Sequence, residues 1–123
     1  MEETNKKRVL IVDDEPAVRR LVRQMLSKDY TVLEAQNGKE AVTIALSQKP
    51  DVILMDILMP KIDGLTACYA IKTSPTTRAI PVVMLTAIGY ELNKQLSQDV
   101  MGADGYITKP FTRETLLQAI SQL

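Results

Sequence analysis

Short apolar runs recur along the chain, each followed by acidic or polar residues and then, in most cases, by apolar positions at helical spacing. Residues 8–12 (RVLIV), 51–55 (DVILM) and 81–85 (PVVML) are nearly continuous in apolar character. Such runs fit strands covered on both faces, where no alternation with polar residues is needed. Residues 30–34 (YTVLE) are rich in β-branched and aromatic types, and 104–108 (DGYIT) form a short fifth run. Between them the period changes. Pro16 opens a segment in which Val18, Leu21, Val22, Met25 and Leu26 share a helical face, closed by Lys28 and Asp29. Asn37 is placed to cap a second helix carrying Ala41, Val42, Ala45 and Leu46, which Pro50 stops. Further helices are predicted over Leu65–Lys72, Tyr90–Met101 (closed by Gly102) and Arg113–Gln122, the last with Leu116, Leu117 and Ile120 towards the core. Thr112 is its expected N-cap, with Thr115 standing where a capping box would carry Glu or Gln.

Strand then helix, five times over with short loops, predicts an α/β protein: a doubly wound parallel sheet with helices on both faces and right-handed crossovers. Ligands of such folds bind beyond the C-terminal ends of the strands. Those ends are where this chain keeps its polar residues. Asp13 and Asp14 follow the first run, Asp56 the third, Thr86 the fourth and Lys109 the fifth.

Any one of these residues alone reads as a turn or cap. Their coincidence at one edge of the predicted sheet is what points to a site. Adjacent acids at a strand end repel and lose hydration unless a positive charge lies between them. With the first and third strands as neighbours, Asp56 joins the pair. An all-oxygen set, in a chain with no histidine and one cysteine, favours Mg²⁺, with Mn²⁺ as a substitute, over zinc. Magnesium takes about six ligands and keeps water readily, which leaves positions for a phosphoryl oxygen. Lys109 supplies a point charge suited to phosphate. Pro110 restricts its backbone, and Phe111, the one phenylalanine, is expected to be buried beneath it. Thr86 offers a hydroxyl donor. An aspartate can itself be a phosphoryl nucleophile, so the absence of histidine is no obstacle.

Composition narrows the classes. The chain has 123 residues, 46% hydrophobic and 24% charged, which suits one folded domain. Fifteen Lys and Arg balance fifteen Asp and Glu, so no net charge draws it to nucleic acid. Cys68 has no intrachain partner for a disulfide. The polar start MEETNKKR lacks the core of a signal peptide, and no run of about 18 apolar residues occurs. A cytoplasmic protein is expected, with residues 1–7 as a flexible lead and 8–123 as the domain.

The motifs VLIVDDEP (9–16), DVILMDILMPKIDG (51–64), PVVMLTA (81–87) and GADGYITKPF (102–111) together resemble the receiver domain of two-component response regulators, of the size of single-domain chemotaxis regulators. The resemblance covers Val9 to about Leu123. It implies a flavodoxin-like (βα)5 fold with strand order 2-1-3-4-5. It implies that Asp56 is the phosphoacceptor, and that Asp13, Asp14, Asp56 and the backbone carbonyl of Ile57 hold the cation. It further implies that Lys109 contacts the phosphoryl group, that Thr86 and Tyr106 are the switch pair, and that Leu58 and Ile88 sit where phosphoryl lifetime is tuned. Pro60 and Gly64 match the loop after the phosphoacceptor. The implied donor is a sensor histidine kinase or phosphotransfer protein, and the implied output is a protein target that reads the surface of the helix over 90–101, the fifth strand and the last helix. A monomer that can dimerise on phosphorylation is expected, with no direct nucleic-acid contact.

The stretch GYELNKQLSQDVMGADGY departs from the common family pattern in carrying Leu92, Leu96, Val100 and Met101. Leu58 and Ile88 offer no side chain to orient a hydrolytic water, which suggests a long-lived phosphoryl group. Rival chemistries fit poorly. A haloacid-dehalogenase-like phosphatase would need an acid where Leu58 stands. A flavodoxin-like cofactor protein would need a Ser/Thr/Gly-rich loop in place of DDEP, and a P-loop is absent. A receiver that only binds proteins, or one that belongs to a larger regulator or hybrid kinase, stays open at this point.

Overall fold

The strand β1 (Arg8–Val12) is buried on both faces, and its side chains divide between two cores. Leu10 and Val12 enter one, while Val9 and Ile11 enter the other. The computed structural model describes residues 6–57, 59, 63–87 and 102–123. Among these, the chain forms β1, α1 (Pro16–Leu26), β2 (Thr31–Ala35), α2 (Gly38–Gln48), β3 (Val52–Asp56), α3 (Gly64–Thr73), β4 (Val82–Ala87), β5 (Gly105–Lys109) and α4 (Arg113–Ser121). The helix predicted over 90–101 lies outside the described residues, as do Leu58, Pro60 and Ile88.

All four strand pairings are parallel, and the order is β2-β1-β3-β4-β5. This is the doubly wound sheet that the strand–helix alternation predicts. The two-sided burial explains why the strands lack polar alternation. Ile53, Met55, Val82 and Met84 face α2 and α3, which contribute Ala41, Ala45, Ala67, Cys68 and Ile71. Val52, Leu54, Val83 and Leu85 face α1 and α4, which contribute Val22, Leu26, Leu116 and Ile120. Burial pushes the Cys68 thiol up to about 12, so it stays protonated beneath α3.

Local chemistry sets the helix ends. Asn37 accepts a hydrogen bond from Glu40 N–H at 2.8 Å, and Glu40 reaches back to Gln36 N–H at 3.0 Å, as the Asn37 cap predicts. Asp63 caps α3 through Thr66 N–H, and Thr112 caps α4 through Thr115 N–H. Three apolar expectations shift. Leu21, placed on the apolar face of α1, is 43% exposed, Leu46, placed on that of α2, is 45% exposed, and Phe111 is half-buried rather than buried. Leu21 and Phe111 line an apolar groove of about 320 Å³ with Val18, Lys109 and Pro110.

A polar clamp joins α3 to the approach of β5. Lys72 Nζ donates to Ile80 O (3.0 Å) and Asp104 Oδ2 (2.9 Å), while Asp104 accepts from Val82 N–H (2.9 Å) and its own N–H donates to Val82 O (2.8 Å). Lys72→Met is expected to lower unfolding stability by about 1–2 kcal/mol, because it strips donors from partly buried acceptors. Urea denaturation checks this, and an unchanged midpoint would show the clamp to be energetically idle.

Candidate functional site

The polar residues expected at the strand ends do converge. Asp13 leaves β1 directly, its N–H donating to Ala35 O at 3.1 Å, so it continues the ladder with β2 by one bond. Asp56 is the last residue of β3, paired with Leu85 of β4, and Ile57 N–H extends that ladder to Leu85 O at 3.1 Å. The sequence pattern put Asp56 and Lys109 just past their strands and ended the fourth at Thr86. In the structure Asp56 and Lys109 are terminal strand residues, and Thr86 is the penultimate residue of β4. Ladder hydrogen bonds carry each strand to the site itself.

Asp13, Asp14 and Asp56 each present a carboxylate oxygen within 4.8 Å of the others. Asp13 is fully buried and Asp56 nearly so, while Asp14 is exposed. Lys109 Nζ bridges two of them, at 3.1 Å from Asp13 Oδ2 and 3.3 Å from Asp56 Oδ1. One ammonium faces three carboxylates. Burial first, and then the charge of Asp13, push the Asp56 carboxyl up to about 6 against the pull of Lys109. Burial alone would lower the Lys109 ammonium, but Asp56 and Asp13 outweigh it and hold it above the usual lysine value. The cluster therefore retains excess negative charge, with Asp13 and Asp56 buried and Asp14 open to solvent.

That charge suits a hard cation. Magnesium with oxygens at about 2.1 Å spans oxygen–oxygen separations of about 3–4.2 Å, so the three carboxylates need only a small inward adjustment to close on it. Ile57 O accepts from Gly64 N–H at 2.9 Å, so the carbonyl named as a further ligand is already engaged with the start of α3. Gly64 lies so close that a Cβ there would stand 2.0 Å from Asp56 O and 2.8 Å from Ile57 Cα.

Thr86 is 7% exposed, one residue beyond the register partner of Asp56, and pairs with Thr108. Tyr106 pairs with Met84, packs against the core beneath α2 and α3, and keeps its hydroxyl out of solvent. The Lys109–Pro110 peptide bond is cis.

Pattern reading missed two residues at the site's edge, Arg19 and Glu34. Arg19 Nη1 donates to Asp13 O at 2.6 Å, and its Nε donates to Glu34 Oε1 at 3.0 Å. The available signal was a lone acid inside the apolar strand TVLEA.

A parallel sheet in this order, with an acidic cleft and one lysine at its C-terminal edge, defines a class that comparison confirms. The chain belongs to the response regulator receiver domain family, which it matches over residues 9–121. It is 42% identical over 120 residues to the transcriptional regulatory protein ResD of Bacillus subtilis, which covers 96% of this chain and 48% of ResD. The chain spans about half the length of the first curated relatives it matches. It is also 41% identical over 118 residues to the chemotaxis protein CheY of Halobacterium salinarum, covering 95% of this chain and 96% of that one. Its fold matches the receiver domain of sensor histidine kinase PA1611 of Pseudomonas aeruginosa, solved with a magnesium ion coordinated in the active-site cleft. The TM-score is 0.87 at 30% identity, covering 95% of this chain and 96% of that one. Among the described residues, no helix is long and apolar enough to cross a membrane.

Proposed function

We propose that this chain is a phosphoacceptor switch in which Asp56 takes a phosphoryl group from a phosphohistidine of a sensor kinase or phosphotransfer protein. The observation that carries the reading is the Asp13–Asp14–Asp56 cluster, with Lys109 bridging the buried Asp13 and Asp56. Asp13, Asp14 and Asp56 would hold Mg²⁺, which when bound supplies charge neutralisation for the incoming phosphoryl oxygens.

The chain's own residues do the rest. Asp56, with its carboxyl pushed up to about 6, is mostly ionised near neutral pH and serves as the nucleophile. Its Oδ–P bond forms as the donor's P–N bond breaks, and the electron pair stays on the imidazole nitrogen. Lys109 can pass from Asp56 to the new phosphoryl oxygens while keeping Asp13. The phosphoryl group brings extra negative charge and acceptor oxygens, which the hydroxyl of Thr86, on the neighbouring strand β4, would meet. Tyr106 follows on the adjacent strand, which couples the site to the surface a protein target reads. The groove of Val18, Leu21, Pro110 and Phe111 lies beside Lys109 and gives a donor protein an apolar seat next to the cleft.

Incubation with Mg²⁺ and acetyl phosphate, followed by intact mass under mild acid, tests the reading. One added phosphoryl group is expected, and EDTA should prevent it. No gain from acetyl phosphate or from any phosphohistidine donor would leave a receiver that only binds proteins.

A further inference from the structure

Asp13 is held at every polar atom. Its N–H donates to Ala35 O (3.1 Å), Oδ1 accepts from Glu15 N–H (2.9 Å), Oδ2 from Lys109 (3.1 Å), and its backbone carbonyl from Arg19 Nη1 (2.6 Å). That carbonyl lies just past the last residue of β1, and the guanidinium is the side-chain donor that meets it. Arg19 is itself fixed. Its side chain is 15% exposed, and Glu34 on β2 takes its Nε at 3.0 Å. The second Glu34 oxygen takes Arg23 at 2.7 Å, and Arg23 also donates to Val32 O at 3.0 Å. Burial alone would raise the Glu34 carboxyl, but its bonds to Arg23 and Arg19 hold it below the ordinary value.

The consequence concerns the turn that carries two of the three clustered carboxylates. Without a cation, Asp13, Asp14 and Asp56 repel. Lys109 and Glu15 N–H hold the Asp13 carboxylate, but the backbone of the turn needs a restraint of its own. Arg19 supplies it from α1, and Glu34 offsets its charge, so the restraint does not neutralise the potential that attracts a cation.

We propose that Arg19, oriented by Glu34, is a positioning residue that presets the Asp13–Asp14 turn for divalent-cation binding; this rests on the phosphoacceptor reading above. Arg23 is the internal control, because it shares Glu34 but makes no bond to Asp13. The readout is the Mg²⁺ dissociation constant of the unphosphorylated protein, from calorimetry or amide NMR shifts. Arg19→Met keeps the aliphatic stem and removes every donor. It is expected to weaken Mg²⁺ about 10-fold or more, the range seen when outer partners of metal ligands are removed. Arg23→Met should stay within about twofold of the parent, a purely surface effect. If Arg19→Met fails to fold, Glu34→Gln decides, with a loss of about threefold expected as its hold on Arg19 loosens. Parent-like Mg²⁺ binding in the deciding variant, or an equal loss in Arg23→Met, would overturn the positioning role and leave the phosphoacceptor reading standing. No Mg²⁺ binding by the parent protein would overturn both.

Discussion

Asp56→Asn is expected to take up no phosphoryl group from acetyl phosphate and, in EDTA, to melt higher than the parent protein. The first effect follows from losing the proposed nucleophile, since an amide has no charged oxygen to attack with. The second follows from crowding. The folded protein raises the Asp56 carboxyl from 3.8 to about 6, chiefly by burial and by the charge of Asp13. A raised acid is stabilising only while protonated. As pH climbs from about 4 to about 6 the unfolded chain gives up this proton first, so folded stability falls across that window and is flat above it. At neutral pH the cost is roughly 1–3 kcal/mol. Asparagine removes the charge that incurs it. The gap between variant and parent should therefore open between about pH 4 and 6 and hold steady beyond. Saturating Mg²⁺ should shrink it, because the cation stabilises only the protein that retains the full ligand set. Paired thermal melts across pH, with and without Mg²⁺, check this. A variant that melts lower in EDTA would mean that Asp56 is stabilised by Lys109 more than it is penalised by Asp13.

Gly64→Ala is expected to destabilise the fold by about 3 kcal/mol or more, at the upper end of overpacking costs. The reason is what the methyl would meet. A Cβ at this position stands 2.0 Å from Asp56 O and 2.8 Å from Ile57 Cα, and both are backbone atoms with no rotamer to swing away. Relief requires α3 to back off from β3, which breaks the 2.9 Å bond from Gly64 N–H to Ile57 O. The strain lands on Asp56, the proposed nucleophile. Displacement by about 1 Å can cost two orders of magnitude in rate, so phosphoryl uptake by the folded fraction should also slow at least about 10-fold. Urea unfolding and the time course of phosphorylation measure the two losses separately. Near-parental values in both would mean that the loop before α3 moves aside at little cost.

The sheet and the core of the cleft were legible because both rest on short patterns. Continuous apolar runs announce strands hidden on two faces, and an acid or lysine closing such a run must lie at the sheet's C-terminal edge. Asp13, Asp14, Asp56 and Lys109 follow from that logic alone. Gly64 appeared only as a match to the loop that follows Asp56, since the approach of α3 to β3 is a three-dimensional fact. Arg19 and Glu34 were missed for the same reason. An arginine in the first turns of a helix has no local mark that it will reach a carbonyl six residues back and an acid on the next strand. Leu21 shows the converse error. Helical spacing placed it with the core, but the apolar stripe of α1 is wider than the face the sheet covers, and Leu21 falls on its edge beside Phe111.

The bond from Lys109 to Asp13 joins residues 96 apart in sequence, and that to Asp56 joins residues 53 apart. Such separations make the cleft a late product of chain assembly, because loop closure over these spans precedes any reward from the contact. A growing polypeptide that has already emerged with all three acids still lacks the ammonium that completes the set. Until the fifth strand docks, Lys109 cannot bridge Asp13 and Asp56. On the phosphoacceptor reading proposed above, competence to accept phosphate would double as a proofreading mark, acquired only by molecules whose fifth strand has found its place.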